Sequence, residues 1–294
     1  MKRVGILYQT RTPEPETVAV GLADQARALG RDVWLQSSWD DGVDQINGDT
    51  DLIISVGGDG TLLRVARLVA PSGIPILGVN AGRLGFLTEI DASDATDLLP
   101  RALNGEGRIE ERTMLAVEHD GASSYALNDA IISRGGPART VQVGIAVNGA
   151  ELLAFRGDGV VVATATGSTA YSLAAGGPVL PPTTAELIIN PVSAHPASEA
   201  PVLVEPDAEI VIRIRTDHGA VLSLDGQDDF DVHDEAVVTV RRSPYHARLL
   251  RFSDPGYFYR NLSDLLNRRR RHPDLPDVDG ANDEVAAPQG VHVS

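Results

Sequence analysis

The stretch Asp51-Leu52-Ile53-Ile54-Ser55-Val56-Gly57-Gly58-Asp59-Gly60-Thr61-Leu62-Leu63-Arg64-Val65-Ala66 decides the fold class of this chain. Its first part is a continuous apolar run, the pattern of a strand buried on both faces of a parallel sheet. Its last part returns apolar residues at helical spacing, and the glycines between them form a turn. Strand, glycine turn and helix in this order are half of a parallel crossover unit.

Working outward, the same alternation repeats. Val4 to Tyr8 reads as a strand, and Glu16 to Leu29 as a helix with Val18, Leu22, Ala26 and Leu29 on one face, stopped by Gly30. Val33 to Leu35 and Ile74 to Val79 read as further strands and Ala95 to Leu103 as another helix. Residues 1–110 are therefore expected to form a doubly wound α/β domain with a mostly parallel sheet.

Beyond Glu110 the pattern changes to short β runs separated by Gly, Asp, Asn or Pro: Thr113 to His119, Ser124 to Leu127, Thr140 to Val147, Gly159 to Ala163, Glu186 to Asn190, Ile210 to Arg215, Ala220 to Ser223 and Ala236 to Arg241. Residues 111–250 are expected to be a β-rich second domain. Residues 251–271 should complete a strand over Ala247 to Phe252 and add a helix over Tyr257 to Arg271, with Phe258, Leu262, Leu265 and Leu266 at helical spacing, returning to the first domain. Residues 272–294, rich in Pro, Gly, Asp and Asn, read as a disordered tail.

Composition limits the partners. The 41 acidic against 25 basic residues give a formal charge of −16, and Lys2 is the single lysine. Nucleic acid and anionic membranes are bound through basic patches, so neither is expected as a partner. An acidic surface almost without lysine suits a cytoplasm of molar salt, such as that of a halophilic archaeon, where repulsion is screened within about 3 Å. An ordinary acidic soluble protein is the simpler alternative. The absence of cysteine excludes disulfides and thiol chemistry and suits a reducing cytoplasm. No apolar span has signal-peptide or membrane-spanning length.

Three glycine-containing turns carry the chemistry. In the first, Gly57, Gly58, Gly60 and Thr61 form a phosphate-type loop, where amides and a helix N-terminus can face phosphate oxygens. Asp59 does not suit an anion site. It either accepts a proton from a substrate hydroxyl or caps the helix. The second turn, Gly78 to Gly85, follows the next strand; alone it is compatible with a tight crossover. The third, Arg156-Gly157-Asp158-Gly159 with Thr164 to Ala174, is poor core material and reads as a polar loop lining a pocket, with Tyr171 as a face for a base, or as a flexible surface loop. There is no Walker lysine motif, no Gly-x-Gly-x-x-Gly after the first strand and no His-Glu-x-x-His, which disfavours a P-loop ATPase, a Rossmann dehydrogenase and a zinc site.

Taken in order, Gly57 to Thr61, Asn80-Ala81-Gly82-Arg83-Leu84-Gly85-Phe86-Leu87, Leu127-Asn128-Asp129, Gly157-Asp158-Gly159, Thr166 to Ser172 and Gly176-Gly177-Pro178 resemble the NAD kinase family over about residues 50 to 230. The glycine-rich turn alone is shared with lipid kinases and, in part, with phosphofructokinases. The resemblance implies phosphoryl transfer from ATP or polyphosphate to the 2′-hydroxyl of the adenosine ribose of NAD, giving NADP, with Mg²⁺ or another divalent cation brought by the donor. It implies Asp59 as catalytic residue and Gly60, Asn128 and Asp129 at the dinucleotide. Arg64 matches a ligand position, although a solvated helix arginine is the alternative. Arg156 and Asp158 match a loop that reaches the dinucleotide, in this family sometimes from a neighbouring subunit, so a homo-oligomer is expected. Thr169-Ala170-Tyr171-Ser172-Leu173-Ala174 match the adenosine segment, Gln227 a late polar contact, and Arg139 a weaker one. His195, between prolines and small residues, is given a structural loop role. A lipid kinase of the diacylglycerol or sphingosine type is the alternative function; it needs a membrane-facing basic or apolar surface that a charge of −16 does not offer.

Overall fold

The computed structural model of the protein describes residues 1–40, 46, 49–82, 85–136, 139–194 and 200–270. Arg83, Leu84, His195 and the tail expected over 272–294 lie outside the described residues. In chain order the first half contains β1 (Arg3–Tyr8), α1 (Pro13–Ala28), β2 (Asp32–Ser37), β3 (Leu52–Gly57), α2 (Asp59–Val69), β4 (Ile76–Asn80), β5 (Ile90–Asp91) and α3 (Ala92–Leu103). The next stretch adds β6 (Arg108–His119), β7 (Ala122–Ala126), β8 (Asp129–Arg134), β9 (Val141–Val147), β10 (Ala150–Gly157), β11 (Gly159–Ala163) and α4 (Tyr171–Ala174). The last has β12 (Leu187–Val192), β13 (Val202–Val204), β14 (Ile210–Arg215), β15 (Ala220–Leu224), β16 (Asp228–Val232), β17 (Val237–Arg251) and α5 (Tyr257–Arg270).

The first half is the expected α/β layer. β1 pairs in parallel with β2 on one side and with β3 on the other, and β3 pairs in parallel with β4. Every residue of β3 is buried, as its unbroken apolar run requires. Burying Leu52, Ile53, Ile54 and Val56 stabilises the layer by roughly 1.5–3 kcal/mol per side chain. Ala19, Leu22 and Ala26 of α1 and Leu99 and Leu103 of α3 cover one face of the sheet, and Leu62, Val65, Ala66 and Val69 of α2 pack against the other. Helix α1 starts on Pro13 with Glu14 and Glu16 in its first turn, and Gly30 beyond its end takes φ 77°.

Because β1 lies between β2 and β3, the connections that follow it leave in opposite directions. The crevice at the carboxyl ends of β1 and β3 is then the switch point at which open α/β sheets hold ligands. The Gly57–Thr61 turn stands at that point.

The second half is β-rich, as expected. One sheet runs β10-β9-β14-β17-β4-β3-β1-β2, with β6 beside β17, so the long strand β17 continues the parallel layer into antiparallel pairing. The other sheet runs β13-β12-β11-β8-β15-β16. Val143, Ile145, Ile210 and Ile212 from the first sheet meet Ile132, Val160, Val162 and Ile189 from the second in one core.

Several details differ from the sequence reading, which expected no strand over Ile90–Asp91, Asp129–Arg134 or Val202–Val204. The strands expected over Ala236 to Arg241 and Ala247 to Phe252 are one strand, Val237–Arg251, because a register shift against β6 between Arg242 and His246 absorbs Ser243-Pro244. Strand β10 was not expected: its side chains are largely exposed at the sheet edge, which leaves no apolar alternation to read. Strand β16 was hidden by Asp228, Asp229 and Asp231, residues that strands disfavour but that keep an edge from pairing with another chain. The stretch from Pro255 forms a second compact unit, whose described part is α5. Among the described residues no helix is long and apolar enough to cross a membrane.

Candidate active site

The Gly57–Thr61 turn enters α2 with Gly58 as the N-cap residue, and its carbonyl accepts the Thr61 and Leu62 amides. Asp59 is the first residue of the helix, and no side chain caps it, so the capping alternative is not what the fold adopts. Its carboxylate turns away to the loop after β4. There Oδ2 accepts the Phe86 amide at 2.6 Å, and Oδ1 accepts those of Leu87 and Thr88 at 2.9 and 3.2 Å. Gly85 is required for this approach, because a Cβ there would lie 2.1 Å from Oδ1. A carboxylate offers about four acceptor positions. Three are taken, and one on Oδ2 remains.

Positive charge beside the turn comes from arginines. Arg64 donates from Nε to the Ser38 carbonyl, and its guanidinium lies 4.7 Å from the centre of the Trp39 ring. Arg11, from the loop after β1, lies 4.8 Å from the same ring. Trp39 therefore braces two cations on the lips of the crevice. Neither Arg11 nor Trp39 stood out in the sequence.

Asn128 lies between β7 and β8, and Asp129 opens β8. Their amides, with that of Leu127, donate to the buried carboxylate of Asp225 at 2.7 to 3.2 Å. Asp225 sits in the tight turn between β15 and β16, where Asp225 and Gly226 take φ 54° and 64°, as a hairpin turn of this hand requires. The Oδ1 of Asn128 is buried and has no hydrogen-bond partner among the described residues. Its carbonyl accepts the Thr164 amide, and Gly167 packs so close to that carbonyl that a Cβ would come within 2.1 Å.

The segment from Thr164 to Ala174 is buried over Thr164 to Ser168 and at Ser172. Thr164, Ser168 and Ser172 are fully buried, with Ser168 accepting the Leu180 amide and Ser172 receiving the side-chain amide of Asn190. Tyr171 opens α4, its ring exposed and its amide directed at the Asp129 carboxylate. Asp158 pairs with Arg134 at 2.7 Å and shares with Tyr171 and Val192 a hollow of about 320 Å³.

Gln227 closes the arrangement. Its Nε2 donates to the Gly60 carbonyl at 2.6 Å, and its Oε1 accepts from Arg67 at 3.0 Å. Arg67, on α2, also pairs with Asp228 at 2.8 Å and approaches Asp225 at 3.8 Å. The glycine turn is thus tied to the Asn128-Asp129 pair through Gln227, Arg67 and Asp225. Sequence reasoning passed over Arg67 and Asp225; the Asp-Gly hairpin signal at 225–226 was the available clue. Arg139 and Arg156 lie elsewhere, exposed along a groove of about 510 Å³ with Arg215, His218 and Asp234, and share no contact with the Asp59 turn among the described residues.

Two carboxyl groups buried together cannot both hold a charge cheaply. Burial first, and then the neighbouring Asp225 charge, push Asp129 up to about 7, while the Tyr171 amide opposes the shift. Burial also raises Asp225, but its three amide donors and Arg67 assign the negative charge to it and the proton to Asp129. A carboxyl whose folded value lies above its unfolded value of 3.8 contributes stability that is complete below that value and is lost as pH rises through about 7. The melting midpoint of the unliganded protein is therefore expected to fall from about pH 4 to about pH 7. Asp129→Asn should flatten that slope, and an unchanged slope in the variant would assign the shift elsewhere.

Residues 10–107 match the ATP-NAD kinase N-terminal domain and residues 127–252 the ATP-NAD kinase C-terminal domain. Among curated proteins, the chain is 37% identical over 272 residues to an NAD kinase of Dehalococcoides mccartyi strain CBDB1, covering 90% of this chain and 96% of that one. It is 47% identical over 227 residues to an NAD kinase of Symbiobacterium thermophilum, covering 75% of this chain and 80% of that one. Both relatives are bacterial. Among solved structures, yeast NADH kinase complexed with NADH superposes with a TM-score of 0.83 at 23% identity, covering 94% of this chain and 90% of that one. An NAD kinase from Archaeoglobus fulgidus in complex with ATP superposes at 0.74 with 26% identity, covering 90% and 98%. The lipid-kinase alternative finds no support in these matches.

Proposed function

This chain belongs to the NAD kinase family, and on that premise we propose how its own residues carry phosphoryl transfer to the 2′-hydroxyl of the adenosine ribose of NAD. The observation that carries the reading is the tie from the Gly60 carbonyl through Gln227, Arg67 and Asp225 to Asn128 and Asp129, which sets the phosphate turn beside the Asn-Asp pair.

Asp59 receives the ribose hydroxyl on the one acceptor position that the amides of 86–88 leave open, holds it in line with the donor phosphorus and takes its proton late in a loose transition state. Asn128 Oδ1, a buried acceptor without a partner, and the Asp129 carboxyl take hydroxyl donors of the dinucleotide. Residues Thr169 to Ala174 shape the adenosine seat, with the exposed Tyr171 ring as the face for a base and buried Ser172 as support. Gln227 acts through Gly60, by orienting the turn. Arg64, steadied with Arg11 on Trp39, offers positive charge to phosphates at the switch point.

The donor is ATP or polyphosphate. A divalent ion such as Mg²⁺ would come with the donor phosphates and would supply charge neutralisation there. Arg156, exposed away from the Asp59 turn, and Asp158 of the same loop reach the dinucleotide of a neighbouring copy in a homo-oligomer, and Arg139, beside Arg156 in the groove, is a weaker contact.

The formal charge of −16, with a single lysine, supports work in a cytoplasm of high salt. At low ionic strength the screening length grows to about 30 Å at 0.01 M, and like-charged carboxylates repel across the whole fold. NADP formation by the purified protein, measured with a panel of donors from 0.1 M to molar KCl, tests both parts. Turnover and melting midpoint should rise together with salt. A maximum of both near 0.1 M would overturn the high-salt reading, and NAD-induced stabilisation without turnover would make the protein a sensor of NAD.

A further inference from the structure

A line of four buried charges runs through the junction of the two halves, outside every contact described above. Arg251 donates from Nη1 to the Leu87 carbonyl at 2.8 Å and to Glu89 at 3.0 Å, and from Nε to Glu110 at 3.2 Å. Glu110 Oε1 also accepts from Arg112 at 2.9 and 2.7 Å, and Oε2 accepts from Arg108 at the rim at 2.8 Å. Arg112 then donates from Nη1 to the Thr166 hydroxyl at 3.1 Å. Glu89 is fixed in turn by the Phe252 and Ser253 amides, both at 2.7 Å. The side chains of Glu89, Glu110, Arg112 and Arg251 are each at most 4% exposed, two negative and two positive.

The ends of this line matter. Leu87, whose carbonyl Arg251 holds, presents its amide to the Asp59 carboxylate. Thr166, which Arg112 holds, supports the adenosine segment, since its carbonyl accepts the Thr169 hydroxyl at 3.2 Å. Buried ion pairs are costly to desolvate, and apolar residues of similar volume usually stabilise a core as well or better. Four such charges in a continuous line between two ligand loops are therefore explained by position more readily than by stability. The arginines at Glu110 overcome burial and hold its carboxyl down at about 2, so Glu110 keeps its charge through the working range of pH.

We propose that Glu89, Arg251, Glu110 and Arg112 form a positioning strut that sets the loop holding Asp59 relative to the loop carrying Thr166, and so aligns the base with the ribose it acts on. The proposal rests on the reading of Asp59 as the catalytic group. None of the four touches substrate; each acts through a loop.

The two ends predict different kinetics. Arg251→Lys keeps the charge but cannot reach Leu87, Glu89 and Glu110 together, so kcat should fall by about 10- to 100-fold, the scale of an ångström's misplacement, with KM for NAD nearly kept. Thr166→Val keeps the shape but loses the Arg112 contact, so KM for NAD should rise at least about threefold with kcat nearly kept. Both are measured on protein that melts well above the assay temperature, beside wild type and Asp59→Asn. A lowered melting point with unchanged kcat and KM in both variants would make the line a structural feature only. Effects on the opposite constants would overturn the assignment of the ends. If Arg251→Lys does not fold, Glu89→Gln makes the same test of kcat. Near-normal turnover of Asp59→Asn would fail the reading of Asp59 instead, and that outcome is distinct from loss of Asp59→Asn turnover with the strut variants unaffected.

Discussion

Asp59→Asn is expected to lower turnover by at least about 100-fold, the usual scale for removing a general base, while NAD binding changes little. Two consequences add in this variant. The amide cannot take the ribose proton, and its NH₂ group turns a donor towards one of the three backbone donors at Phe86, Leu87 and Thr88. The second consequence would disturb the loop even if the first did not matter. Single-turnover measurements at saturating NAD separate chemistry from binding. Near-normal turnover would reduce Asp59 to a tether between α2 and the loop after β4.

Asp225→Ala is expected to be the most destabilising single change in the site. It orphans the buried amides of Leu127 and Asp129, at about 1–3 kcal/mol each, and the half-buried amide of Asn128, and removes the buried partner of Arg67. That sum approaches the whole stability of a typical domain, roughly 5–15 kcal/mol. Asp225→Asn is the informative variant, because it retains one oxygen for the Asn128 and Asp129 amides and removes the charge that faces Asp129. It should fold, raise KM for NAD, and move the Asp129-linked stability change to lower pH, since one upward cause on Asp129 is gone. If Asp225→Ala melted within a degree or two of wild type, the turn would not be what organises the Asn128-Asp129 pair.

These residues also show what was readable in advance. Asn128 and Asp129 were picked out by the resemblance to the family. Asp59 and the Thr166 to Ser172 run stood out because their types are wrong for their places: a carboxylate in an anion-type turn, small hydroxyls after a buried strand. Asp225, Arg67, Glu110, Arg112 and Arg251 did not. Each sits in a segment that reads as an ordinary strand, helix or hairpin, and its role is defined by partners far away in the chain, such as Leu127 for Asp225 and Leu87 for Arg251.

Local periodicity and turn chemistry therefore determined the α/β layer, the β-rich half and the glycine turns, since those depend on neighbours a few residues apart. Tertiary structure alone decided that β17 is one strand joining both halves, that the Asp59 carboxylate faces backbone amides in place of capping its helix, and that burial and the neighbouring Asp225 raise the Asp129 carboxyl. The reason is physical: burial, ion pairing and close backbone approach are set by residues about 30 to 170 positions apart, and a single sequence records which residues can make such contacts but not which of them meet.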